Sequence, residues 1–328
     1  MPRFTARTLS VLAFTLVVWA SAFAGIRAGL RGYSPANLAL VRFLVASTVL
    51  GIYAGIAHFR APEWRDLPGL ALTGAIGITF YNLALNYGET RVAAGTASLL
   101  IASTPIWTAL AARLWLQEKL TPRAWLGVLV SFAGVALMAG GEGEAIRVSR
   151  HSLIILAAAL TSALYMILQK HYLGRYSALE LTAYSIWFGT ALLLPFASGV
   201  VHNLRAAPLP ATLAVVYLGV FPGAIAYGAW AYVLSHGAAG RTATILYVIP
   251  VVAIGIAWIW LGEVPKPIPL AGGAVALGGV VLVNAAGKHR RDHGKSRDPG
   301  AWPISEAAGG RGVLASPNSS RPIVPAVR

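Results

Sequence analysis

The sequence predicts an all-α integral membrane protein with ten transmembrane helices in two inverted five-helix repeats. Composition is the first reason. The 328 residues are 57% hydrophobic and only 11% charged, where a soluble domain carries about 25% charged residues. That much apolar surface needs lipid as its solvent. The second reason is duplication: residues 81–137 and 226–282 match without a gap at a constant offset of 145 (226 − 81). Ala84 pairs with Ala229, Tyr87 with Tyr232, Gly95 with Gly240, Pro105 with Pro250, Glu118 with Glu263, Gly127 with Gly272 and Gly134 with Gly279. Duplicated membrane halves are how many secondary transporters are built.

The elements follow in order from windows of about 19 residues. Candidate spans are 9–29, 37–57, 68–87, 93–115, 122–140, 152–172, 178–199, 211–234, 241–261 and 268–286. Most are near the ~20 residues that cross ~30 Å of hydrocarbon. Breakers such as Ser34-Pro35, Ala61-Pro62, Thr121-Pro122 and Pro265-Lys266-Pro267 separate them. Arg3 and Arg7 ahead of the first span, with Ala22-Phe23-Ala24 within it, resemble a cleavable signal. Ser21-Ala22, however, lines up with Ser162-Ala163 in the second half, which favours a retained helix. The fourth and ninth spans each hold a proline near the middle, Pro105 and Pro250, and close on Leu-x-Glu. A mid-helix proline removes a backbone hydrogen bond and kinks the helix. The pair are candidate hinges, with a static kink as the alternative. The chain thus divides into an N-terminus (1–8), a first repeat (9–140), a second repeat (152–286) and a Gly-, Pro-, Ser- and Arg-rich tail (287–328) expected to be disordered.

The formal charge of +15 is spread over loops and the tail, so it points to orientation and to anionic lipid rather than to nucleic acid. With the N-terminus inside, Arg3, Arg7, Arg60, Arg65, Arg113, Lys119, Arg123, Lys170, Arg175 and Arg241 face the cytoplasm. Arg27, Arg31, Arg91, Arg147, Arg150, Arg205 and Lys266 face out. The tail cations, among them Lys288, Arg290 and Arg291, strengthen that preference and place both termini in the cytoplasm. Cysteine is absent, which removes disulfides, thiolate metal sites and thiol nucleophiles.

Polar residues at membrane depth are costly and mark function by default. Asn82, Asn86 and Glu89 share one face of the third span; Ser162, Tyr165 and Gln169 share one of the sixth; Tyr227 and Trp230 share one of the eighth. With Trp19 and Tyr247 near mid-span, they are candidates to line a central substrate cavity. Helix gluing and interface anchoring are the bland alternative. Arg42, the one basic residue placed inside a span, is expected either to pair with Glu89 or to hold an anionic substrate group. The pair is the cheaper arrangement. Gly51-x-x-x-Gly55, Gly219-x-x-x-Gly223 and the glycines from Gly272 to Gly279 suit close helix packing, within the chain or between two copies in a homodimer.

Trp19-Ala-Ser-Ala-Phe, Ser34-Pro35 followed by Val41-Arg42-Phe43, and the duplicated Leu116-Gln117-Glu118 and Leu261-Gly262-Glu263 resemble the EamA-type family of the drug/metabolite transporter superfamily. The resemblance covers residues 9–286. It implies a bacterial inner-membrane carrier, usually an exporter of metabolites or amino acids, working by alternating access without ATP, cofactor or metal. Since no Asp or Glu lies near a span centre, facilitated diffusion or substrate exchange is favoured over proton antiport, with coupling through Glu89 left open. A lipid or lipid-linked precursor translocator is the alternative. A membrane enzyme lacks support, because no Asp-Asp or Gly-x-Ser-x-Gly occurs and no catalytic residue stands out.

Overall fold

A computed structural model describes residues 5–115, 122–140, 149–236 and 246–295, and among them every regular element is helical. The chain divides into a body of residues 1–287 and a C-terminal unit of 288–328. In the body, α1 (Ala6–Gly29) starts on Thr5, whose side chain accepts from the Thr8 amide. The next helix, α2 (Pro35–Ala57), starts on Ser34 with Pro35 in the first turn, where its missing N–H costs nothing. Then come α3 (Leu67–Gly74) and α4 (Tyr81–Gly88), joined without a break by a π-helical segment at Ala75–Phe80. They are followed by α5 (Ala94–Ile101), α6 (Thr104–Trp115), α7 (Pro122–Gly140) and α8 (Arg150–Tyr172). A reciprocal capping box between Ser177 and Glu180 starts α9 (Ala178–Leu193).

After a short α10 (Val200–Ala206), the third-helix pattern recurs as α11 (Leu209–Val220), a π-helical Phe221–Ile225 and α12 (Ala226–His236). The last two are α13 (Ile249–Leu261) and α14 (Pro267–Lys295). Among the described residues, seven helical stretches are long and apolar enough to cross a membrane, and Trp125–Met138, Ile249–Leu261 and Pro267–Leu282 are shorter apolar helices. Large side chains such as Ile52, Ile56, Leu129, Val251 and Ile259 stand exposed on the outside, an apolar surface that water would not tolerate and lipid does.

Two expectations change. The fourth and ninth spans are not continuous helices bent at a proline. The first is interrupted at Ala102–Ser103 and restarts with Pro105 in the first turn of α6; the described part of the second, from residue 246, is a 3₁₀ turn at Leu246–Val248 followed by α13 with Pro250 in its first turn. Proline is tolerated where no intrahelical donor is needed, so each marks a new start rather than a kink. The apolar stretch 178–199 ends earlier, with a 3₁₀ turn at Leu194–Phe196, and the sequence reading missed α10 altogether.

What joins the halves is a set of reciprocal contacts between repeat mates. The Ser131 hydroxyl of α7 donates to the carbonyl of Ala276 on α14, 145 positions on (276 − 131). A Cβ on Gly134 would lie 2.3 Å from the Ala276 nitrogen and 2.5 Å from the Gly272 carbonyl, and one on Gly279 would lie 2.5 Å from the Gly127 carbonyl. A second set uses an offset of 143, visible in Leu30-Arg31-Gly32-Tyr33-Ser34 against Leu173-Gly174-Arg175-Tyr176-Ser177. The hydroxyls of the mates Ser47 and Thr190 meet at 2.9 Å where α2 crosses α9. Gly74 of α3 abuts the Ser185 carbonyl and Phe188, while its mate Gly219 abuts the Arg42 carbonyl and Val45, the mates of those residues. A residue that touches its own mate lies near a two-fold axis, as in an isologous dimer. Of the glycines singled out above, Gly219 and Gly223 pack on α2, whereas Gly51 and Gly55 meet nothing within 4 Å.

The crossing backbones at Gly134 cannot yield, so Gly134→Val is expected to cost about 1–3 kcal/mol or more and to lower the melting temperature in detergent by several degrees. Gly51→Val, facing open space, should leave it nearly unchanged. Beside the membrane, buried Asp66 accepts from the Tyr176 hydroxyl at 2.8 Å and from Arg175 Nη1 at 2.6 Å, fixing the start of α3 to the α8–α9 turn. The Tyr176 hydrogen bond, followed by Arg175, holds its carboxyl below the usual 3.8. The contact therefore stabilises fully above about pH 4 and fades as pH falls below 3.8 through the lower folded value. Asp66→Asn should flatten that acid limb in a pH series of melting temperatures.

Candidate functional site

The site is built from the polar face of α4 outwards. The π-helical turn at Ala75–Phe80 ends just before Tyr81 and Asn82, and its repeat mate at Phe221–Ile225 ends just before Ala226 and Tyr227. Such turns recur at functional positions because the wider ring changes which residues face inward. Gly77 in the first turn lets the Tyr165 ring of α8 lie against the backbone, at a place where a Cβ would be 2.2 Å away.

Arg42 of α2 reaches this face and is 92% buried (100 − 8). Its Nη1 donates to Asn82 Oδ1 at 3.3 Å, and Asn82 Nδ2 donates to the Ile78 carbonyl at 2.8 Å, which turns the amide oxygen towards the guanidinium. Arg42 Nε has no hydrogen-bond partner. The Phe43 ring lies 5.1 Å from the guanidinium carbon, and the Tyr227 and Tyr81 hydroxyls and the Glu89 carboxylate are near enough to interact with its charge.

Further along the same face, Asn86 Nδ2 donates to the Pro35 carbonyl at 3.0 Å, but its Oδ1 is unpartnered. Glu89 caps α4, is fully buried, and neither carboxylate oxygen has a partner. The Arg42–Glu89 ion pair expected from the sequence is therefore not made. Seven residues of helix separate Asn82 from Glu89, about 10 Å of rise, and Arg42 is held at the Asn82 end.

The aromatic side comes mainly from the second half. Tyr227 and Trp230, one turn apart on α12, close on Trp19 of α1 with ring centroids 5.6 and 5.4 Å away. On α8 the Tyr165 hydroxyl is buried among Ser185, Thr182 and Gln169, with Tyr227 in electrostatic range. The structure thus brings Trp19, Arg42, Asn82, Tyr165, Tyr227 and Trp230 around one centre, with Gln169 beside Tyr165 and Asn86 and Glu89 along α4. The side chain of Tyr247 lies outside the described residues, as do Glu118 and the segment after residue 295. Pro105 and Pro250 sit at the helix restarts, away from these contacts.

One network was not foreseen. Arg27, at the end of α1, donates from Nε to Glu263 Oε1 at 2.9 Å and from Nη1 to the Glu89 carbonyl at 2.6 Å. Glu263 Oε2 accepts from the Ala94 amide at 2.8 Å, capping α5, whose own N-cap Ala93 has no side chain to do so. Gly262 makes this possible: at φ 70 it ends α13 in the left-handed conformation and turns Glu263 back. The duplicated Leu-x-Glu motif was the available signal, but nothing in the sequence pointed to Arg27 as its partner. Arg27, Leu30, Arg31, Thr90, Leu261 and Glu263 line a cavity of about 190 Å³ beside the bridge.

Comparison with known proteins gives a consistent picture. The model of the EamA-like transporter family matches residues 7–140 and 150–285. A "Probable terminal-alkyne amino-acid exporter" of Streptantibioticus cattleyicolor is 43% identical over 287 residues, covering 88% of this chain and 95% of that protein. An "Uncharacterized transporter YdfC" of Bacillus subtilis is 41% identical, covering 80% and 86%. A solved crystal structure superposes with a TM-score of 0.57 at 20% identity, covering 88% of this chain and 99% of that one, a likeness of fold alone.

Proposed function

The chain belongs to the EamA-like transporter family of multi-pass membrane proteins, and on that premise we propose that it is a secondary carrier exporting a small metabolite by alternating access. The observation that carries this reading is the cluster of buried Arg42 and Asn82 with half-buried Trp19, Tyr227 and Trp230. It combines residues of both halves and leaves Arg42 Nε unpartnered at a depth where that is costly. A carrier needs such a site between its repeats. An amino acid or a flat organic molecule suits aromatic walls with amide and guanidinium donors, and the name of the Streptantibioticus relative agrees with the first.

In this reading the halves are inverted, ten helices span a bacterial inner membrane, and both termini are cytoplasmic. The Arg27–Glu263–Ala94 network is then the closed outer gate, since α1 runs outward from the cytoplasm. The helix restarts at Pro105 and Pro250 supply the pivots.

Two outcomes follow. The melting temperature of the purified protein, measured against amino acids, sugars, nucleosides, organic cations and lipid head groups, should rise with one soluble class, by about 2.7 kcal/mol of stability at 100 Kd. That rise should be lost in Trp230→Ala; a response to lipid head groups alone would instead favour a lipid translocator. Because the chain has no cysteine, Leu30→Cys offers a single label beside the gate. Glu263→Gln in that background should speed its reaction with an impermeant maleimide applied from outside severalfold, and an unchanged rate would remove the gate assignment.

A further inference from the structure

The buried atoms left without partners around α4 form a complementary set. Arg42 Nε is a donor on a cation; Asn86 Oδ1 and both oxygens of Glu89 are acceptors, one group anionic. All three residues are at least nine-tenths buried. Resting on the carrier reading, we propose that Arg42 and Glu89 are the two poles of a zwitterion site. Arg42 takes the α-carboxylate and Glu89 with Asn86 takes the α-ammonium of an amino acid whose apolar side chain lies against Trp19, Tyr227 and Trp230.

Charge and symmetry both lead there. Arg42 and Glu89 sum to zero, so a net-neutral ligand leaves the buried site neutral, while a carboxylate alone or an amine alone satisfies one pole and leaves the other bare. Their direct pairing, the usual remedy, is not made: Arg42 Nη1 is held by Asn82 and both Glu89 oxygens stay without a hydrogen bond, although the two charges are in electrostatic range of one another. The repeat mates of Arg42, Asn86 and Glu89 are Ser185, Ala231 and Leu234, so the charged poles exist once and only in the first half. Tyr227 and Trp230, in turn, have Asn82 and Leu85 as mates, so the aromatic wall is mostly the property of the second half. One half grips the head and the other the tail, which fixes the orientation of the ligand. Thr90, next in chain to Glu89, lines the cavity beside the Arg27–Glu263 bridge, so a route to the ammonium pole opens when that bridge parts.

L-norleucine, N-acetyl-L-norleucine and L-norleucine amide are the probes, measured as ligands by melting-temperature shift and as competitors of L-norleucine counterflow in proteoliposomes. Each derivative, lacking one charge, should bind the wild-type protein about tenfold or more weakly than norleucine, the loss of one buried charge-assisted contact. In Glu89→Gln the acetyl derivative should lose most of its handicap while the amide keeps its own; in Arg42→Gln the pattern should reverse. That crossed pattern is not produced by a residue that merely supports the fold. Equal binding of all three probes to the wild type, or variants that weaken all three by one factor, would overturn the proposal. Should either variant fail to fold, the wild-type comparison decides. If norleucine is silent while another solute class raises the melting temperature through Trp230, the zwitterion site fails and the carrier stands. If no solute binds or is transported, both fail.

Discussion

Lipid is as apolar as leucine, so helices in a bilayer gain little by hiding side chains from it. They associate through close backbone contact and internal hydrogen bonds. That constraint governs this molecule. Gly134, Gly272 and Gly279 bring α7 and α14 to backbone distance, and Gly74, Gly189 and Gly219 do the same where α3 and α11 meet α9 and α2. Hydroxyls add hydrogen bonds between packed helices: Ser131 to Ala276 across α7 and α14, Thr73 to Ser185 across α3 and α9, and Ser47 to Thr190 where α2 meets α9. Since these residues are largely one another's repeat mates, a single small-residue pattern, copied once, builds both sides of each interface.

Symmetry of scaffold goes with asymmetry of chemistry. The mates Arg42 and Ser185 occupy equivalent positions beside Gly219 and Gly74, yet one is a buried cation and the other a neutral hydroxyl. Asn82 and Tyr227 follow equivalent π-helical turns, yet one orients a guanidinium and the other joins an aromatic cluster. Duplication supplies two matching frames; divergence at a handful of positions gives their polar and aromatic residues different partners.

The scaffold was legible in the sequence because hydropathy and duplication are properties of many residues at once. Apolar windows located most of the long helices, though not α10 or the end of the last one, and the 145-residue offset survives as contacts such as Ser131 with Ala276. Less legible were features that depend on single backbone choices. Nothing in Ala75–Phe80 announces a π turn, and a proline read as mid-helix becomes a first-turn residue once the helix restarts at Thr104. The 143-residue offset of the second helices is carried by few identities, so the equivalence of Arg42 with Ser185 appears only in packing. The Arg42–Glu89 pair was a sound inference from cost alone. It fails because a polar face with period i, i+4, i+7 also spreads its members along the axis, and Asn82 meets the guanidinium first.

If the Arg27–Glu263–Ala94 network is the gate proposed above, its strength should be modest, and it is. Arg27 and Glu263 keep 29% and 19% of their side-chain surface exposed, so their ion pair contributes about 1 kcal/mol at most. Capping of α5 adds roughly 1 kcal/mol, and the bond to the Glu89 carbonyl about 1.5–3 kcal/mol as a charged donor. A ligand can move a two-state protein only by its difference in affinity for the two states, and about 5.5 kcal/mol carries it from 1:99 to 99:1. A closure of a few kcal/mol lies within that reach, whereas a fully buried pair, costing about 3–5 kcal/mol to break at one partner alone, would hold the gate shut against a weakly bound substrate. The energy that keeps the halves together is therefore stored in the glycine crossings, which need not change, and the part that must change rests on a few half-exposed polar contacts.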